Sequence, residues 1–239
     1  MSWRTAPERT ISTAAAELAT TLGEPLRSLV VYGSAARDDF DPRHSTVNLA
    51  VVAAPLGFTQ VGQVAQWLTQ WRAEGFAAPL LLSTTDLARS LDVFPLEFLD
   101  IQAYHRVLAG ADLFTGLDLP ADAVRRECER EAKGKLVRLR ELYLELAGSG
   151  RELRALMLDS RKSFLMVMRG LLHIRGEGWA GSPHDVVERF ERSYDCTMPA
   201  LAALDPTLID QPIEQHFDDY LQDVELLATI ADRALHAPQ

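Results

Sequence analysis

Residues 30–53 read VVYGSAARDDFDPRHSTVNLAVVA: an apolar run broken at Gly33-Ser34, a polar loop, and a second apolar run from Val47. The run Leu29-Val30-Val31-Tyr32 is rich in β-formers and stops at Gly33, so the stretch predicts strand, tight turn, loop to Ser45, and strand over Val47 to Ala53. Side chains two apart on a strand share a face. Thr46 and Asn48 therefore lie side by side, with Val47 turned the other way.

Before this stretch, Ile11, Ala15, Leu18 and Leu22 repeat at helical spacing until Gly23-Glu24-Pro25 stops them. After it, Val61, Val64, Ala65, Leu68 and Trp71 give residues 58–74 the period of a helix packed on a sheet, and Pro79 to Leu82 reads as a strand. Thr84 or Thr85 is placed to cap a short helix, and Leu96-Glu97-Phe98-Leu99-Asp100-Ile101 reads as a last strand. The first half is a small mixed α/β unit.

Beyond Gly110, Gly116 and Pro120 the pattern becomes purely helical. Ala132, Leu136, Leu139, Tyr143 and Leu146 form one stripe, with Glu129 to Lys133 and Glu131 to Lys135 as favourable pairs on its wet face. Leu153, Leu156, Ser160, Phe164, Val167 and Leu171 form a second stripe, and Ile213, Phe217, Tyr220, Val224, Leu227 and Ala231 a third. Ser182-Pro183-His184-Asp185 is a capping box with proline at the first helical position. The expected fold class is α+β: a mixed sheet with helices over residues 1–117, then an all-α bundle over 118–239.

Composition bounds the function. Of 239 residues 47% are hydrophobic and 24% charged, enough to bury a full core, and the net charge of -10 argues against nucleic acid as a partner. Cys128 and Cys196 are far apart and form neither a zinc nor a disulfide pattern, so both read as reduced thiols. The N-terminus lacks an apolar leader core, and no run reaches the ~18 apolar residues of a membrane span. A cytoplasmic protein without a membrane partner is expected.

Tyr32-Gly33-Ser34-Ala35-Ala36-Arg37, then eleven residues, then Ser45 to Leu49, resembles the nucleotidyltransferase superfamily of the kanamycin-nucleotidyltransferase-like and minimal types. There a glycine-serine turn precedes a strand that opens on Asp-x-Asp or Asp-x-Glu. Residues 96–112, through His105-Arg106-Val107-Leu108-Ala109-Gly110-Ala111-Asp112, resemble the strand and Gly-x-Asp ending of bacterial members. The resemblance covers the first half of the chain. It implies nucleotide binding at Gly33, Ser34 and Arg37, with Mg²⁺ and ATP or another nucleoside triphosphate if the chain is active, and a homodimer as a common arrangement.

The residues themselves give the chemistry. A Gly-Ser turn offers backbone N–H groups and a hydroxyl to terminal phosphates, and two acids at i,i+2 hold magnesium against them. This chain has Thr46 and Asn48 at those positions, neutral oxygens where magnesium needs carboxylates. No resident metal is expected. Asp38, Asp39 and Asp41 are nearby acids in the loop, where turn formation and solvation explain them, and Glu97 is the candidate base toward an acceptor hydroxyl.

Arg37 has two readings, a phosphate partner or a partner of the loop carboxylates. His105 and Arg106 read as shaping a strand end. Arg169 and His173 loosely resemble the Arg-His pair of ribonuclease-type helical partners, with shorter spacing. Arg125, Arg126, Arg130, Lys133, Lys135, Arg138 and Arg140 read as a solvated face balanced by Glu127, Glu129, Glu131 and Glu141, and Trp67, Trp71, Phe164, Met157, Met166 and Met168 as core. Three functions remain open: a degenerate member that binds nucleotide and regulates, an active transferase of a nucleoside monophosphate to a small-molecule or protein hydroxyl, and an interaction module with a vestigial cleft.

Overall fold

The computed structural model of the protein describes residues 7–37, 46–179, 181–203 and 213–236. Contacts divide it into two compact units, Met1–Leu119 and Pro120–Gln239. The first is built on a four-stranded sheet in the order β3-β2-β1-β4, made of β1 (Leu26–Tyr32), β2 (Asn48–Ala53), β3 (Leu80–Ser83) and β4 (His105–Gly110). β1 runs antiparallel to both β2 and β4, whereas β2 and β3 are parallel. A parallel pair needs a crossover, which α2 (Phe58–Trp71) supplies.

Alternation along the central strands gives the unit two cores. Leu29, Val31, Val47, Leu49 and Val51 face one way, onto α1 (Pro7–Leu22) and α2 through Ile11, Leu18, Val64 and Trp67. The indole N–H of Trp67 donates to the Ala14 carbonyl at 2.9 Å and so ties the two helices together. Val30, Ala50 and Val52 face the other way, onto α3 (Thr84–Arg89) and α4 (Pro95–Ala103) through Leu87, Phe98 and Ile101, with Phe114 beneath. Both central strands are buried on both faces, which explains their nearly unbroken apolar sequences.

Two expectations are corrected here. Leu96 to Ile101 is not a strand but part of α4, and the last strand lies later, at His105–Gly110. A short apolar run fits either period, and Pro95 at the first helical position settles it, since proline suits a helix start and lacks the N–H a sheet ladder would use. The cap of α3 is Ser83, not Thr84 or Thr85, because Asp86 stands three residues on and closes a reciprocal box: Asp86 N to Ser83 Oγ is 3.0 Å and Ser83 N to Asp86 Oδ2 is 2.9 Å.

The second unit is helical: α5 (Ala121–Leu146), α6 (Gly150–Ile174), α7 (Pro183–Tyr194), α8 (Pro199–Ala203) and α9 (Ile213–His236). α5, α6 and α9 pack on one another along the expected stripes, with Leu136, Leu139, Phe164, Leu171, Phe217, Tyr220 and Val224 buried. Tyr220 places its hydroxyl 2.8 Å from Ser160 Oγ, and Phe217 stacks on Tyr143 at 4.6 Å. Ser182 and Asp185 form the capping box of α7 as expected. Trp67, Phe164, Met157 and Met168 are core, while Trp71 and Met166 are half-buried. Cys128 is buried and Cys196 half-buried, both as free thiols.

Candidate functional site

The second face of the sheet ends at the chain's Gly-Ser turn. Tyr32 closes β1 and lies opposite Asn48, which opens β2, so both point to the side that α4 covers. Gly33–Ala36 then form a single 3₁₀ turn, entered through Gly33 at φ 70°. Thr46 and Asn48 do share a face, since Thr46 Oγ1 reaches Asn48 Oδ1 at 3.5 Å. That leaves the Asn48 amide nitrogen turned toward the turn: a Cβ on Gly33 would lie 3.4 Å from Asn48 Nδ2 and 3.9 Å from Asp100 Oδ2.

α4 supplies the acids. Glu97 was expected on a strand and sits instead in the first turn of this helix, where its Oε1 accepts the Tyr32 hydroxyl at 2.8 Å. Burial, and then the charge of Glu97, pushes the Tyr32 phenol well above the usual tyrosine range, so it stays protonated and donates. Asp100 is three residues on, hence on the same helix face, and is buried. Its Oδ1 accepts Arg37 Nη1 at 2.9 Å, with side-chain exposures of 17% for Arg37 and 7% for Asp100. The Arg37 guanidinium also lies 5.0 Å over the Tyr104 ring.

Among the described residues Arg37 has a carboxylate partner, Asp100 of α4. The turn is also less open than expected, because the Gly33 N–H donates to the Tyr104 carbonyl at 3.2 Å. Asp38, Asp39 and Asp41 lie outside the described residues.

His105 and Arg106 open β4. The ring of His105 spans Ile101 O at 2.7 Å and Asp112 Oδ1 at 3.1 Å, and Arg106 pairs with Glu8 at 2.8 Å. Asp112 accepts the Phe114 and Thr115 N–H groups and the Thr115 hydroxyl, which hold its carboxyl below the usual carboxylate range, the hydroxyl most. Arg169 and His173 serve the loop after α6: Arg169 is buried and donates to Gly181 O at 3.1 Å, and His173 packs edge-on against Trp179. Six of the basic residues of α5 are paired, Arg130 by Glu127 and Glu131, Lys133 by Glu129, Lys135 by Glu131 and Arg138 by Glu141 as expected, and Arg126 by Asp122, Lys133 also by Asp232 and Arg140 by Glu225, acids not foreseen.

No protein-family model matches the sequence, and no curated protein matches it. Among solved structures the chain is similar to a spectinomycin adenyltransferase, AAD(9) of Enterococcus faecialis, determined with ATP and spectinomycin. The identity is 12% and the TM-score 0.53, over 96% of this chain and 99% of that one. The fold is that of a nucleotidyltransferase.

Among the described residues, positions 46 and 48 offer no carboxylate to the magnesium that the nucleotidyltransferase resemblance implies. Thr46 and Asn48 are neutral, Asp100 is held by a guanidinium, Glu97 is engaged by Tyr32, and β3 adds only Leu80 and Leu82 to this face. Among the described residues no group of three or more His, Cys, Asp or Glu side chains is placed to hold a metal ion. Asp100, Tyr32 and Tyr104 were missed from sequence. Pro95 was the available signal: once it starts a helix, Asp100 falls one turn from Glu97.

Proposed function

We propose that this chain is a nucleotidyltransferase-fold protein that binds a nucleotide at Gly33, Ser34 and Arg37 and does not transfer it, acting in regulation or assembly. One observation carries the reading: the strand face that would present a pair of carboxylates presents Thr46 and Asn48. Phosphoryl and nucleotidyl transfer depend on positioning and on charge stabilisation, and a metal pair supplies several kcal/mol of the latter. Without acids at these two positions the strand entry lacks the means to drive the reaction. The turn, the Ser34 hydroxyl and the nearby guanidinium remain suited to an anion.

The test uses the full chain with labelled ATP, Mg²⁺ and a panel of hydroxyl acceptors including spectinomycin. The expected result is no labelled product, with ATP binding by calorimetry that weakens in Ser34→Ala. The likeness to an adenyltransferase over 96% of the chain supports a second reading, an active enzyme in which Glu97 serves as base toward a small-molecule or protein hydroxyl. Chelator-sensitive transfer of AMP, lost in Glu97→Gln, establishes that reading and ends the first.

A further inference from the structure

Resting on the nucleotide-binding reading, we propose that the site grips a nucleoside triphosphate directly, without magnesium, through the Asn48 amide and the Arg37 guanidinium. The polarity at position 48 is reversed. Asn48 Oδ1 faces the Thr46 hydroxyl, so the atom turned to the Gly33 turn is Nδ2, an N–H donor. A carboxylate there would be acceptor-only and would meet a phosphate only through a cation. An amide N–H meets it without one.

Arg37 supplies the positive charge on the same side. Its guanidinium rests over the Tyr104 ring and is held by Asp100 Oδ1, which presets its orientation. A guanidinium to phosphate contact is charge-assisted and stronger than a neutral hydrogen bond. Asp100 then competes with the phosphate for Arg37, the reverse of a site whose acids recruit phosphate through a metal. This reversal sets the sign of every test. Magnesium-bound ATP, partly neutralised, is the poorer ligand, and removing the Asp100 charge helps.

Calorimetry of the full chain with ATP, in EDTA and in excess Mg²⁺, tests this without any variant: binding in EDTA is expected to equal or exceed binding in magnesium. Asn48→Asp, nearly isosteric, is expected to weaken the EDTA binding about tenfold, the size of one charged hydrogen bond. Asp100→Asn is expected to tighten it about threefold, the size of one screened ion pair. Binding that requires magnesium overturns this inference and leaves the nucleotide-binding reading standing. Unchanged EDTA affinity in both variants also overturns it. No binding in either buffer overturns both.

Discussion

Gly33 and Gly110 both hold a positive φ, 70° and 77°, yet substitution is expected to hurt them differently. At Gly33 an added Cβ meets nothing closer than the end of the Asn48 side chain at 3.4 Å, so Gly33→Ala is expected to lose only the left-handed strain, about 1–2 kcal/mol. At Gly110 the same atom would sit 2.3 Å from the Arg27 carbonyl oxygen, main chain fixed by a 2.8 Å bond from the Ala111 N–H. Gly110→Ala is therefore expected to cost about 3 kcal/mol or more, as a forced overpacking does. Denaturant unfolding of the two variants checks the order. A Gly33→Ala loss equal to or larger than the Gly110→Ala loss contradicts the close approach of β4 to β1.

Single helices and loops carry the pH response, and two aspartates give it opposite signs. Asp112 ties the loop after β4 to His105 and has its carboxyl lowered, chiefly by the Thr115 hydroxyl, so it stabilises the fold above the unfolded value of about 4 and loses that benefit as pH falls through the lower folded value. Asp223 of α9 is buried and accepts the Leu201 N–H at 2.9 Å at the start of α8; burial raises its carboxyl. Its charge therefore costs stability above the raised folded value, and the cost vanishes as pH falls below about 4. Thermal melts are expected to show wild type gaining on Asp223→Asn as pH falls from 7 to about 4, and losing its lead over Asp112→Asn only as pH falls below about 4. Parallel behaviour of the two variants contradicts the burial of Asp223. At this scale the sequence was informative wherever one period dominated, as in α1, α2, α5, α6 and α9. It misled at Leu96 to Ile101, because six mostly apolar residues do not separate a 2-residue from a 3.6-residue period and only Pro95 does.

At the scale of the whole chain, charge decides the partners. With a net charge of -10 and the α5 cations largely matched by Glu127, Glu129, Glu131, Asp122, Asp232 and Glu225, the protein is expected to pass through a heparin column at about 0.1 M salt and to be retained by an anion exchanger. Retention on heparin would reveal a basic face. No helix among the described residues is long and apolar enough to cross a membrane. The nucleotidyltransferase fold was legible from the Gly-Ser turn and its spacing to position 46, since both are local. The Tyr32 to Glu97 and Arg37 to Asp100 pairs were not, because each joins residues more than sixty positions apart that only α4 brings together.

The entry to β2 fixes more than a strand end. Val47 bridges Phe76, its N–H and carbonyl bonded to Gly75 and Ala77 at 2.9 and 3.1 Å, so residues 46 and 48 keep one orientation whatever their side chains. On the proposed reading, placing acids on this strand entry is a matter of two side chains, at positions 46 and 48. Thr46→Asp with Asn48→Asp is expected to seat paired acids on this face without refolding, and a melting temperature that rises with added Mg²⁺ in the double variant alone is the sign that the strand entry can address a divalent ion.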